Sequence, residues 1–461
     1  MKIFYSALLY LLPLVVFSQP GRNYDSPLLY KWMEVGSGVS GEAHDISMAL
    51  SPSGLLYVGW GDHTFGDKIY VRRFNGTDWV WVGAEVSPGA AGSTRLAFDQ
   101  SGTLYVAFCD EINNSKVTVK KFNGSLWENV GAPGFSDFQA SDISLAISPS
   151  GQLYVSYNDD DFWGDSRNCL MVKKFDGTNW MDVGSLGNYS NYYAGAKFTC
   201  LAFDTGGYPH VAFQDNLVSG KATVLKFDGT KWAPVGTHGF SSTAAWNVNL
   251  VFSPSGEPYV AFQDQDGKAQ VMKFSGSVWE NVGLAGFAQI QDVSLAFNPV
   301  NHQPYLAFGD NSHYGGPSVM RFDGSTWAYV GTPNFSFGGS FDEKLVFSSS
   351  GVPYVAFLDD YFDEATTVMK YDSVASGIEQ LNRFQVTVYP NPVLKELFID
   401  FKVGDGFKKQ IDIYDLQGTK MLGTETYGNR ISLNAEGFPS GIYMIKVRTG
   451  DLVYIGKFCK M

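Results

Sequence analysis

The chain is predicted to be all-β: a seven-bladed β-propeller followed by a small C-terminal β-sandwich. Three observations lead there. The phrase W-x-x-V-G recurs at Trp32, Trp79, Trp127, Trp180, Trp232, Trp279 and Trp327, at intervals of 47 to 53 residues, and self-similarity at such a period marks a repeat architecture. Each interval holds four strand-length apolar phrases separated by turn residues, the content of one propeller blade. The ends are offset: Lys31–Gly36 precedes any complete repeat, and the last repeat stops at Val368–Asp372 without a tryptophan strand of its own. A first strand that completes the last blade closes a ring, which neither an open solenoid nor a sandwich explains. With 15% aromatic residues, only 17% charged and 51 glycines, the composition suits short strands and tight turns.

Taken in order, residues 1–18 read as a secretory signal peptide. Lys2 is basic, Ile3–Phe17 is apolar apart from Ser6 and Pro13, and Val16-Phe17-Ser18 offers a cleavage site. No later segment supplies the roughly 20 apolar residues of a membrane-spanning helix. Residues 28–374 are the expected propeller. One copy runs DISLAISPSG, QLYVSYND, CLMVKKFDG, TNWMDVG, four strands in antiparallel meander order. SPSG supplies Pro and Gly for a reverse turn, and Asp176-Gly177 marks a hairpin. The repeated Trp and Tyr residues are expected to pack between neighbouring sheets.

Residues 375–383 read as a linker and 384–461 as alternating strands broken by Gly and Pro. This tail carries Tyr389-Pro390-Asn391-Pro392, Ile413-Tyr414-Asp415-Leu416-Gln417-Gly418, Pro439-Ser440-Gly441-Ile442-Tyr443 and Lys457-Phe458-Cys459-Lys460. It resembles the type A C-terminal sorting domain of the type IX secretion system. The resemblance implies that Tyr389, Pro390, Asn391, Pro392, Gly418, Gly441 and Tyr443 belong to a secretion signal read by that machinery. It further implies transport across the outer membrane and removal of the tail, with release or attachment to the cell surface. The repeats are similar in strand order to tectonin lectin repeats. FDG-x-x-W resembles the Asp-box of sialidases but lacks the residue between Asp and Gly, and no arginine triad accompanies it.

A net charge of −13 excludes a nucleic-acid partner, whose phosphates demand a basic surface. Four cysteines are present, expected as buried free thiols or one incidental bridge, and Cys109 with Cys169, on adjacent blades, is the first pair to test. Each second strand ends in aspartate: Asp62, Asp110, Asp159, Asp215, Asp264, Asp310 and Asp359. This marks the face where loops vary in length, and such loops on a rigid scaffold are where binding resides. A second acidic position, at Asp45, Asp142, Asp292 and Asp342, with Asn247 in a fifth repeat, is expected beside the first. Asp45/Asp62, Asp142/Asp159, Asp292/Asp310 and Asp342/Asp359 then either bind loop N–H groups or share a calcium ion. His44 and His63 add a combination able to hold a transition metal. Phe135, Tyr189, Tyr192, Phe240, Trp246, Phe287 and Phe335 are candidate ligand-stacking residues, with packing as the competing role. Nothing resembles a catalytic constellation. The expectation is a non-enzymatic binding module for glycan or protein at the cell surface or outside it, with an enzyme acting on polysaccharide or glycoconjugate, or a structural surface component, as alternatives.

Overall fold

The computed structural model describes residues 29–160, 168–187, 195–336, 338–374, 386–401, 408–415, 418–449 and 452–461. The segments 1–18 and 375–383 therefore lie outside the described residues. Two compact units are present, one formed by Tyr30–Ser373 and one by the described residues from Val374 onward.

The first unit comprises seven four-stranded antiparallel sheets. Blade 1 runs Ala43–Leu50, Leu56–Asp62, Lys68–Phe74 and Trp79–Trp81, from the inner strand outward. Blades 2 to 6 repeat this order. Blade 7 takes three strands from Ser340–Phe347, Pro353–Asp359 and Ala365–Val374 and its outer strand from Leu29–Glu34. The offset ends thus close the ring as the repeat pattern predicts.

The W-x-x-V-G phrase is the bolt between blades. Every Trp indole N–H donates to the carbonyl of the Val in the preceding blade's phrase, for example Trp79 to Val35 at 2.7 Å, Trp180 to Val130 at 2.7 Å and Trp327 to Val282 at 2.7 Å. The series returns to its start with Trp32 donating to Val330 at 2.7 Å. The Gly that follows each Val has a reason as well. Gly131 holds φ 75°, and a Cβ there would sit 3.1 Å from the Phe175 and Trp180 rings. Both the backbone angle and the ring contact demand a residue without a side chain.

Two turns repeat on one face. In the SPSG-type turn of blade 1, Ser51 Oγ accepts from Leu55 N–H at 3.0 Å. In the FDG-type turn, Asp176 Oδ1 accepts from Thr178 and Asn179 N–H at 2.8 and 2.7 Å. The core lies between blades. Trp60, Phe108, Tyr157, Phe213, Phe262, Phe308 and Phe357, each two residues before the repeated aspartate, are among the largest fully buried side chains.

The inner strand departs from simple pairing. In blades 1 to 5 and 7 its register shifts near the variable-loop face, between His44 and Ser47 in blade 1 and between Phe341 and Lys344 in blade 7. This is a β-bulge, and the bulged residues Asp45, Ser93, Asp142, Phe198, Asn247 and Asp342 all have φ between 50° and 60°.

The C-terminal unit has a three-stranded and a four-stranded sheet around one core that includes Leu397, Ile399, Phe401, Ile411, Ile413, Ile445 and Val447, a small sandwich. No helix among the described residues is long and apolar enough to cross a membrane.

Candidate functional site

The repeated aspartates are buried. Most of them cap the turn that follows the second strand. Asp62 Oδ1 accepts from Thr64 N–H at 3.0 Å, Asp215 from Leu217 at 3.0 Å, Asp310 from Ser312 at 3.0 Å and Asp359 from Tyr361 at 3.1 Å. Their second oxygens are also engaged, Asp62 Oδ2 by Trp60 Nε1 at 2.9 Å and Asp215 Oδ2 by the Thr223 hydroxyl at 2.8 Å. Asp264 binds Asp266 and Lys268 N–H, both at 2.9 Å. Asp110 takes Asn113 Nδ2 and the Thr118 hydroxyl instead. Asp159 accepts from Phe138 N–H at 3.1 Å, and burial pushes its carboxyl up to about 6.

The second acidic set does not pair with the first. Ala43, not Asp45, lies opposite Asp62, and the bulge turns the Asp45 carboxylate toward the next blade. There Asp45 Oδ2 accepts from Ser93 N–H at 2.8 Å. Asp292 accepts from Asp342 N–H at 2.9 Å, Asp342 from Ile46 N–H at 2.7 Å, and Asp142 from the Phe198 backbone. Each side chain thus ties one blade's inner strand to its neighbour's. This corrects the expected pairing of Asp45 with Asp62, Asp142 with Asp159, Asp292 with Asp310 and Asp342 with Asp359: Ala43, Ala140, Ile290 and Ser340 stand opposite the second-strand aspartates instead.

The candidate aromatics divide. Phe135 stacks on Trp180 with centroids 4.6 Å apart and planes at 11°; Phe240 on Trp279 at 4.1 Å and 10°; Phe287 on Trp327 at 4.7 Å and 6°; Phe335 on Trp32 at 4.1 Å and 17°. Each plugs the gap beneath the Trp–Val bolt, so these four are packing residues. Trp246 is half-buried, on an inner strand opposite Gln263. Tyr189 and Tyr192 lie outside the described residues. Cys109 and Cys169 are buried thiols, the first of the two states expected for them; Cys109 Sγ donates to the Ala140 carbonyl at 2.9 Å.

The surface the sequence reading missed lies in the turns that follow the buried aspartates. Phe65, Ile112, Leu217, Tyr314 and Phe362 follow Asp62, Asp110, Asp215, Asp310 and Asp359 by two to four residues. All are exposed, from 47% for Leu217 and Phe362 to 93% for Tyr314. The signal was present: in HTFGD, EINNS, NLVSG, NSHYG and DYFDE a large apolar residue recurs in an otherwise polar turn.

Blade 1 also holds a polar cluster. His44 and Gly61 are cross-strand partners, and a Cβ on Gly61 would meet the His44 ring at 2.3 Å; only glycine admits the imidazole there. His44 Nδ1 lies 3.2 Å from Asp45 Oδ2 and Nε2 lies 3.6 Å from Asp67 Oδ1. His63 Nδ1 lies 2.5 Å from that same Asp67 oxygen. Burial pushes the Asp45 carboxyl up, but the bonds from His44 and Ser93 outweigh it and hold it at about 2. Among the pairs foreseen here, His44 does meet Asp45, whereas His63 meets Asp67 rather than Asp62.

In the tail, the motif residues support the fold. Asn391 Oδ1 accepts from Cys459 N–H at 2.9 Å, and Val393 N–H donates to the Cys459 carbonyl at 2.7 Å, so the Y-P-N-P loop holds the final strand; both X-Pro bonds in it, Tyr389–Pro390 and Asn391–Pro392, are cis. Tyr389 donates to Asp400 at 2.8 Å. Tyr443 is buried, stacks on Phe458 at 5.5 Å and donates to the Pro439 carbonyl at 2.8 Å. Gly418 closes its turn with φ 84°, and Gly441 pairs with Lys460. The family model described as a secretion system C-terminal sorting domain matches residues 387–461. The chain ends in a type IX sorting domain. The protein is therefore exported, to the cell surface or beyond.

No curated protein matches the chain in sequence. Among solved structures, a fungal alcohol oxidase of the AA5 family shares 11% identity over 94% of this chain and 99% of its own, with a TM-score of 0.50. PorZ, a surface component of the type IX secretion system of Porphyromonas gingivalis, shares 14% over 88% of this chain and 68% of its own, with a TM-score of 0.38. At such identities the likeness concerns the fold alone.

Proposed function

We propose that the propeller is a non-catalytic binding module that holds a glycan or protein on its variable-loop face, delivered there by the sorting domain. The observation that supports this reading is the set of exposed apolar residues Phe65, Ile112, Leu217, Tyr314 and Phe362, one on each of five turns that follow a buried aspartate. Exposed apolar side chains gathered on one face mark an interaction surface rather than a core. Phe and Tyr present flat apolar faces suited to a pyranose ring or to an apolar side chain. The turns beneath are held by buried aspartates, so the rings stand on an ordered base and lose little freedom on binding. A glycan array and a panel of extracellular proteins, probed with residues 19–461 and with a variant carrying Phe65→Ala, Tyr314→Ala and Phe362→Ala, test it. Saturable binding by the parent that the variant loses is the expected result; turnover of a bound glycan would overturn the non-catalytic reading.

A further inference from the structure

We propose that His44, His63 and Asp67 form a binding site for a divalent transition-metal ion, zinc(II) foremost, at the seam where blade 1 meets blade 7. Ligand atoms of the three residues lie within 4.8 Å of one another. His44 is oriented for the task. Its Nδ1 faces Asp45 Oδ2 at 3.2 Å, which places the proton on Nδ1 and the lone pair on Nε2. Asp45 is itself fixed by Ser93 N–H. A carboxylate behind an imidazole, with the other nitrogen left for the ion, is the usual support of a metal-binding histidine. His44 Nε2 is shielded from solvent and has no hydrogen-bond partner, an unmet requirement that an ion would satisfy. Imidazole nitrogens with one carboxylate suit zinc and its neighbours, whereas calcium prefers oxygen alone.

The seam supplies further ligands. Glu42, His63 and Glu364 form a second group of the same tightness, and His63 is common to both. Glu364 belongs to blade 7, and its carbonyl accepts from Ala43 N–H at 3.2 Å. The same bond is made by Asp67 to Ala91, Ser115 to Ala140, Gly220 to Ala245, Gly267 to Ile290 and Gly315 to Ser340, so these positions are equivalent. Among them only Asp67 and Glu364 carry carboxylates, and His63 lies beside both. An ion that also took Glu364 would join blade 1 to blade 7, the junction that the borrowed first strand closes.

The test uses residues 19–461 stripped with chelator and titrated calorimetrically with zinc chloride, with calcium and magnesium chloride as comparisons. One equivalent of zinc should bind and raise the melting temperature, with no response to the other two cations. His63→Gln, at an exposed position, should weaken zinc binding at least about tenfold, as should Asp45→Asn, which replaces the carboxylate that orients His44. Cobalt(II) should give a tetrahedral spectrum without a thiolate charge-transfer band, which separates this site from the four cysteines. No zinc binding at millimolar concentration, unchanged affinity in His63→Gln, or a thiolate band would overturn the proposal. Circular dichroism of each variant confirms the fold before titration.

Discussion

Two kinds of aromatic residue occupy the loops of the same propeller face, and they have opposite fates. Phe135, Phe240, Phe287 and Phe335 follow the tryptophan strands and lie flat on the tryptophan of the next blade. Phe65, Tyr314 and Phe362 follow the capping aspartates and stand in solvent. The first kind recurs with its surroundings: a Trp to stack on and a Val–Gly to follow. The second recurs only as a type, in turns of changing sequence. In a ring of repeats, what is constant builds the ring, and what changes is available to a partner.

Breaking the constant part should cost most. Trp180→Ala removes a buried indole, its bond to Val130 and the face on which Phe135 lies, and should lower stability by about 3–5 kcal/mol in urea unfolding. Trp180→Phe keeps the stacking and loses only the bond, so it should cost about 1–3 kcal/mol. Next comes Asp215→Ala: the carboxylate is fully buried between Leu217 N–H and the Thr223 hydroxyl, and its loss strands both donors, again at about 1–3 kcal/mol.

Glu343 sharpens the comparison from the other side. It lies at 1% exposure on the inner strand of blade 7, where blades 1 to 5 carry Ile46, Thr94, Ile143, Thr199 and Val248. Burial, reinforced by Asp292, pushes its carboxyl up to about 8. An acid whose folded value exceeds its unfolded one favours folding only while protonated. Its contribution is complete below the ordinary value near 4.5 and fades as pH rises toward 8. Glu343→Gln should therefore raise the melting temperature at pH 8–9 and leave it unchanged at pH 4. The smallest stability effect belongs to the exposed ring: Tyr314→Ala should change unfolding free energy by no more than about 0.5 kcal/mol while reducing ligand capture.

The propeller was legible because its devices are periodic. Trp, Val-Gly, SPSG-type turns and the strand-ending Asp return at similar intervals, and the Trp–Val phrase proves to be one recurring hydrogen bond. The tail was legible because its motifs hold turns and the last strand in place. The acidic pairs were not, because a bulge at Asp45, Asp142 and Asp342 turns each side chain from its own hairpin to the neighbouring blade, and a single inserted residue leaves no mark in composition. The exposed turn residues escaped for a different reason: Phe65 and Phe135 look alike in sequence, and only the presence or absence of a tryptophan against the ring separates them.

The borrowed outer strand has a consequence for the order of events during export. Trp32 finds its carbonyl 298 residues later, at Val330, and Leu29–Glu34 completes the sheet begun by Ser340–Phe347. A chain that emerges N-terminus first must hold this segment unmatched until nearly the whole ring has arrived, its strand edge a liability throughout. The sorting domain follows almost at once in sequence. Latching of the ring and completion of the export signal therefore fall at the same moment of delivery, so the chain that presents its signal is one whose propeller has just become able to shut.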